Sequence, residues 1–358
     1  MINVTKVYLP ELKKYEAYVE KIFKLGFVTN NGPLVKELQN KLEKYLGVKH
    51  LLLVANGTIA LQIAYKLLGI KGESITTPFS FVATTSSQIW EGINPVFVDI
   101  NKDTFNIDYK KIEEKISKTT SAIVPVHVFG NPCDVEKIDE IAKKHNLKVI
   151  YDAAHAFGVN YKGTSVLNYG DISTLSLHAT KIFHTIEGGA LVINDDELYG
   201  KATRIINFGI MDSERIVDVG TNGKMNEFQA AMGLCVLDDM DKILQGRKKV
   251  YENYMNYLSK NVIRQEQNIN SNLNYIYFPV VFKDEETLLK VKVTLANGGI
   301  YARRYFYPSL NNLPYIKDKT NRLPNSELVA SRILCLPMYD SLALVEQENI
   351  INIINAIA

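Results

Sequence analysis

The sequence predicts an α/β protein built on a mostly parallel central sheet. Three observations point there. Short apolar runs alternate with helical stretches from residue 51 to 194, the pattern of a sheet covered on both faces. The chain has 358 residues, enough for a large and a small domain without disulfides or a structural metal. Apolar residues make up 46% and charged residues 22%, the balance of an ordinary globular protein rather than a disordered one.

The elements follow in order. Residues 11–25 carry Leu12, Tyr15, Val19, Ile22 and Phe23 on one helical side and stop at Gly26. Asn30-Asn31-Gly32-Pro33 is a turn into a second helix that ends near Leu46, with Gly47 as its cap. The run 51–55 reads as a buried strand and 58–68 as the helix after it. Strands are expected at 74–79, 94–100, 121–129, 147–154, 171–177 and 189–194, with a helix at 134–145. Residues 225–259 read as one continuous helix. A strand at 275–282 and a helix at 285–297 precede a loop holding Gly298-Gly299 and Tyr305-Phe306-Tyr307-Pro308. The expected organisation is an N-terminal helical segment (1–30) packing with the small domain, a large domain (31–245) and a small C-terminal α/β domain (246–358).

Composition narrows the function. A formal net charge of +2 gives no reason to expect a nucleic-acid or membrane-surface partner. Cys133, Cys235 and Cys335 are far apart with no CxxC, which argues against a disulfide framework or zinc ribbon and for a reducing cytoplasm. No apolar run approaches the roughly 18 residues that span a bilayer. The first residues are rich in charge, so no signal peptide is expected. Six histidines show no H-E-x-x-H, and no G-x-G-x-x-G follows a strand. Metal hydrolysis and dinucleotide-dependent redox chemistry are therefore disfavoured, and no metal is expected.

Four short motifs carry chemistry. Ala55-Asn56-Gly57-Thr58 runs from a strand into a helix, where Gly57 allows close approach, the helix start offers free N–H groups and Thr58 adds a hydroxyl for a phosphate. Taken alone it is a turn and helix cap. Asp152-Ala153-Ala154-His155 ends an apolar strand, a place where a carboxylate can hold a proton on a ring nitrogen. Ser176-Leu177-His178-Ala179-Thr180-Lys181 puts a lysine after another strand, suited to Schiff-base chemistry once burial lowers its pKa. Glu187-Gly188-Gly189-Ala190 suggests tight backbone packing beside it. Asn222-Gly223-Lys224-Met225-Asn226-Glu227 opens the long helix. The order of these motifs matters more than any one of them. A phosphate cradle, an acid and a lysine are what pyridoxal phosphate requires, and Phe81 in Pro78-Phe79-Ser80-Phe81-Val82-Ala83-Thr84 is the candidate to stack on its ring.

The chain resembles the DegT/DnrJ/EryC1/StrS family of pyridoxal 5′-phosphate-dependent sugar aminotransferases from about residue 5 to past 340. NNGPLVKELQNKLEKYLGV, ANGTIAL, TTPFSFVAT, PVFVDI, VHVFGNPCD, VIYDAAHAFG, SLHATK, EGGALV and NGKMNEFQAAMGL carry the likeness. The resemblance implies the type I (aspartate aminotransferase-like) fold, Lys181 as the Schiff-base lysine and Asp152 on the pyridine nitrogen. It implies Gly57, Thr58 and Ser176 at the phosphate and Phe81 on the ring. His155 stands where relatives often place glutamine near the 3-oxygen. Asn222 matches an asparagine that reaches a partner's phosphate, so a homodimer with composite sites is implied. Two departures stand out: Asn-Gly-Lys-Met at 222–225 where Asn-Tyr-Arg-Met is usual, and Ile186 where glycine is usual. One branch of the family, a dehydratase, replaces the Schiff-base lysine with histidine. Lys181 is kept here, which argues for transamination, and His178 and His184 beside it receive no role.

The implied reaction is a ping-pong transamination from L-glutamate, through pyridoxamine 5′-phosphate, to a nucleotide-linked keto sugar. The length, the LPELxxY start (Leu9 to Tyr15) and Ala302-Arg303-Arg304-Tyr305-Phe306-Tyr307-Pro308 resemble the branch that aminates C4 of dTDP-4-dehydro-6-deoxy-D-glucose for bacterial surface (O-antigen) polysaccharide. Arg303, Arg304, Tyr305 and Tyr307 are the candidate sugar or diphosphate contacts. The alternatives are amination at C3 of a related sugar and a non-catalytic cofactor-binding regulator.

Overall fold

The computed structural model describes residues 1–318 and 322–358. In chain order its elements are β1 (Ile2–Asn3), α1 (Leu12–Leu25), α2 (Pro33–Leu46), β2 (Leu51–Val54), α3 (Gly57–Leu67), β3 (Glu73–Thr76), α4 (Val82–Trp90), β4 (Asn94–Phe97), β5 (Thr120–Val124), α5 (Val135–His145), β6 (Lys148–Asp152), β7 (Asn160–Tyr161), β8 (Thr164–Ser165), β9 (Ile172–Ser176) and β10 (Gly189–Ile193). They continue with α6 (Asp196–Ile205), α7 (Glu227–Asp238), α8 (Met240–Tyr257), β11 (Ile263–Arg264), β12 (Phe278–Val281), α9 (Glu285–Asn297), β13 (Ile300–Tyr301), α10 (Pro324–Arg332), β14 (Ile333–Leu336) and α11 (Leu344–Ile357).

The main sheet has the order β2-β10-β9-β6-β5-β3-β4. Strand β10 runs antiparallel to both neighbours, and the remaining pairs are parallel. Most residues of these strands are buried, and β2 and β10 are buried throughout, which explains the continuous apolar runs of those two strands. One face packs α3 and α6 through Leu61, Ala64, Leu67, Ala202 and Ile205. The other packs α2, α5 and α7 through Leu38, Leu42, Ile138, Ala230 and Leu234. The parallel strands share their carboxyl ends, so the loops after β3, β6 and β9 open at one edge of the sheet.

A second core lies under the antiparallel sheet β11-β12-β14. It joins Val250 and Tyr254 of α8 to Phe278, Leu288, Leu295, Leu334, Ile350 and Ile354. The N-terminal segment divides between the two parts. β1 pairs in parallel with β13, and Met338 N–H bonds Val4 O at 3.0 Å. By contrast α1 lies on α7, with the Phe23 and Phe228 rings edge to face at 6.5 Å.

Two expected elements differ. The helix expected over 225–259 is broken at Asp239, whose φ of −103° and ψ of 6° leave the helical region. Its carboxylate is held from the N-terminal segment by Tyr8 (3.0 Å) and Lys14 (2.8 Å). The strand expected over 121–129 stops at Val124, because Pro125 has no N–H to continue the ladder. A single bridge from Val126 to Asp152 follows, then one tight turn over Val128–Gly130. All three cysteines are free and buried. Among the described residues no helix is long and apolar enough to cross a membrane.

Candidate active site

A cavity of about 280 Å³ opens at the carboxyl ends of the strands. Gly57, Thr58, Phe81, Asp152, His155, Ser176, Lys181, Arg303 and Tyr305 all line it. Four segments far apart in sequence therefore meet as their order suggested, and the loop after β13, bridged through Arg303 to Cys335 of β14, contributes the Arg303–Tyr305 wall.

The anion end is built at the start of α3. Asn56 leaves the helix in extended backbone, and its side chain accepts from Ile59 N–H at 2.9 Å. The N–H groups of Gly57 and Thr58 precede the first intrahelical bond, so they remain free for a ligand. Two glycines make the cradle possible. A Cβ at position 57 would stand 2.9 Å from the Cβ of Ser176, and one at 189 would stand 2.7 Å from the Gly57 nitrogen.

Asp152 ends β6 and is 6% exposed. Burial raises its carboxyl pKa; the Thr84 hydroxyl, the Ala154 N–H and the Lys181 charge oppose that rise. Thr84 donates to Oδ2 at 2.7 Å and Ala154 N–H to Oδ1 at 3.1 Å. Lys181 sits in the turn after β9, its N–H bonded to His178 O at 2.8 Å. Burial pushes its ammonium pKa down to about 8, with Asp152 pulling the other way. Near neutral pH this amine is therefore far closer to its nucleophilic form than an ordinary lysine.

His155 is buried and held neutral: burial, reinforced by the Lys181 charge, carries its pKa well below the usual histidine range. Its Nδ1 accepts from Phe129 N–H at 3.3 Å, which leaves the ring proton on Nε2. The imidazole stacks nearly parallel to Phe306 at 5.8 Å and to Phe129 at 6.1 Å. Phe81 stands at the cavity wall with half its surface open.

Three of the residues named from sequence stand elsewhere. Arg304 lies outside this lining: its guanidinium bonds Glu285 at 2.7 Å and the Ser331 carbonyl at 2.9 Å, bracing α9 and α10, and it borders a neighbouring pocket together with Tyr307. That pocket, of about 230 Å³, shares Phe81 and Arg303 with the first. Asn222 is exposed and pairs its backbone with Asn207, outside the cavity lining. The Lys224 beside it bonds the Asn207 side chain at 2.9 Å, so this departure from the usual motif is satisfied within the chain. Sequence reasoning missed Thr84, Tyr277 and Glu187. Thr84 sits three residues past Phe81, and Glu187 precedes the paired glycines. Tyr277 carried no local signal.

The profile of the DegT/DnrJ/EryC1/StrS aminotransferase family matches residues 11–355. The chain belongs to this family. It is 46% identical over 365 residues to a dTDP-4-amino-4,6-dideoxy-D-glucose transaminase of Shigella dysenteriae, covering 99% of each chain. An Escherichia coli protein of the same name is 44% identical over 350 residues, covering 95% of this chain and 94% of that one. The solved structure of DesI in the presence of its TDP-sugar product has a TM-score of 0.94 at 30% identity, covering 99% of this chain and 92% of that one. The sugar-aminotransferase fold and the mostly parallel sheet thus agree with the expectation from sequence.

Proposed function

We propose that the protein is a pyridoxal 5′-phosphate-dependent transaminase that moves an amino group from L-glutamate to C4 of dTDP-4-dehydro-6-deoxy-D-glucose, in the cytoplasm, for a bacterial surface polysaccharide. The observation that carries the reaction class is Lys181 opposite the buried Asp152 in one cavity. The sugar and its C4 position rest on the near-full-length likeness to two transaminases of that name.

The residues fit the cofactor. Lys181 Nζ has no hydrogen-bond or ion-pair partner among the described residues, although burial taxes its charge. The Gly57 cradle is a space that a single Cβ would close. Gly57, Thr58 and Ser176 would hold the phosphate, Asp152 the ring nitrogen, Phe81 the ring face and Lys181 the carbonyl carbon. When bound, the cofactor supplies a carbonyl that carries the amino group and a ring that accepts an electron pair.

The chain's own residues then have distinct tasks. Lys181, with its depressed pKa, takes the proton from the donor's Cα and later returns one to the sugar carbon. The two donors to Asp152 oppose the rise that burial imposes on its carboxyl and favour its anion, and with it a protonated ring nitrogen. Neutral His155 can donate from Nε2 but carries no charge into the site. Arg303 is the one arginine on the cavity wall, placed for a carboxylate or diphosphate; its guanidinium packs over the Tyr305 ring at 4.7 Å.

The same reading includes a homodimer with Asn222 completing the partner's site. Supporting it, Asn222 is exposed near a stretch that also exposes Phe208, Ile216, Val217 and Val219. It also takes residues 31–245 as the cofactor domain and 246–358 as the small domain. The test is to incubate the loaded protein with L-glutamate and dTDP-4-dehydro-6-deoxy-D-glucose and locate the new C–N bond by NMR. An amine at C4 is expected. Turnover only of a 3-keto sugar, or no turnover with a cofactor firmly bound, would replace this reading with C3 amination or a regulator.

A further inference from the structure

Asp152 does not stand alone beneath the cavity. Helix α4 begins directly after Phe81 and buries Thr84 completely. The Thr84 hydroxyl donates to Asp152 Oδ2 at 2.7 Å. A hydroxyl has one proton, so the 2.7 Å contact between Ser80 and Thr84 must run from Ser80 to Thr84. The bonds therefore form a directed chain, Ser80 to Thr84 to Asp152, and its open end, Ser80, lines the cavity.

The chain is anchored from behind. Gln88 Nε2 donates to Thr84 O at 3.0 Å, and Gln88 Oε1 accepts from Ser74 of β3 at 2.5 Å. Ser87, also bonded to Thr84 O, meets Tyr65 of α3 at 3.3 Å. These bonds fix the Thr84 main chain, and its buried hydroxyl, between Ser80 and Asp152, cannot turn away without leaving polar groups unpaired. A threonine that only satisfied a core helix would not need its one proton on Asp152, the buried carboxylate of the cavity lining.

We propose that Thr84 is a positioning residue that keeps the Asp152 carboxylate in one orientation and in its ionised form, with Ser80 as the outer link of the same chain. This rests on the assignment of Asp152 to the cofactor's ring nitrogen. A donated hydrogen bond stabilises the anion and cannot be kept unchanged if the accepting oxygen takes a proton. Losing it returns the balance to burial, which favours the neutral acid. Ring-nitrogen protonation would fall with it. The other charged or titratable groups around Asp152 are Lys181 from the turn after β9, His155 from the turn after β6, and Tyr65 from α3; His127 donates its main-chain N–H to Asp152 O. None of these is altered by changes at Thr84 or Ser80.

The test uses holoenzyme loaded with pyridoxal 5′-phosphate labelled with ¹⁵N in the ring, its shift followed against pH. Thr84→Val keeps the shape and removes the donor; its ring nitrogen should lose the proton at about one pH unit below the parent. Thr84→Ser should restore the parent curve. Ser80→Ala should move the curve the same way by less, and it decides the matter alone if Thr84→Val does not fold. Asp152→Asn is the control for the underlying assignment: an unchanged curve there would refute the role of Asp152, not of Thr84. A changed Asp152→Asn curve beside Thr84→Val and Ser80→Ala curves that follow the parent would overturn the proposal.

Discussion

Gly189 passes directly against Gly57: a Cβ on residue 189 would stand 2.7 Å from the Gly57 nitrogen. Gly189, the first residue of β10, thus backs the phosphate cradle from the neighbouring strand. Gly189→Ala is expected to push the start of α3 out of line. Cofactor affinity should weaken about ten- to a hundredfold, the equivalent of a modest overpacking cost concentrated at one site. Fluorescence titration of the cofactor into the apo protein measures this. Unchanged affinity in a folded Gly189→Ala variant would separate the glycine motif from the cradle.

Lys181 makes apo-protein stability depend on pH in an uncommon direction. Its folded pKa of about 8 lies below the ordinary 10.5, so between these values the unfolded chain binds more protons and stability rises with pH. Below the folded value the penalty is present in full. Lys181→Met should therefore stabilise the apo protein by about 3 kcal/mol near pH 7. The gain should shrink through that window and vanish near its upper end. Urea unfolding of both proteins across the range checks it; a pH-independent difference would mean the amine is not desolvated.

Glu227 joins two helices. It is 1% exposed, and its carboxylate accepts from Leu34 N–H at 2.8 Å and Val35 N–H at 3.0 Å, capping α2 from the start of α7. Glu227→Ala leaves two helix-terminal donors unpaired and a void. It should cost about 2–4 kcal/mol by denaturant titration. A cost near zero would mean that water replaces the carboxylate without penalty.

Arg303 and Arg304 are neighbours with separate roles. Arg304→Met removes the bonds to Glu285 and Ser331, so it should lower stability by about 1–3 kcal/mol with little change in KM. Arg303→Met should raise KM for a substrate with little change in stability. Steady-state kinetics beside thermal melts of both variants read the split. The reverse assignment of effects would place the anion contact on Arg304.

Much of this arrangement was legible in the residues, for physical reasons. The strands of the main sheet announce themselves because burial demands short runs rich in apolar residues, with buried serine and threonine interspersed in β3 and β9. Asn56-Gly57, Asp152 and Lys181 stand out because each follows such a run. Other features left no local mark. The break at Asp239 depends on Tyr8 and Lys14, more than 220 positions away. Arg303 and Arg304 have the same composition and differ only in what surrounds them. Thr84 reads as a core helix residue, and its partner is 68 positions distant. Asn222 depends on a second chain in the proposed assembly, so one chain's fold leaves it exposed.

The most direct test of the central claim is chemical. The purified protein is loaded with pyridoxal 5′-phosphate, reduced with borohydride, digested and mapped by mass spectrometry. The account predicts a reduced cofactor adduct on the peptide carrying Lys181, absent in Lys181→Met. An adduct on a different lysine, or none on a protein that binds the cofactor tightly, would contradict it.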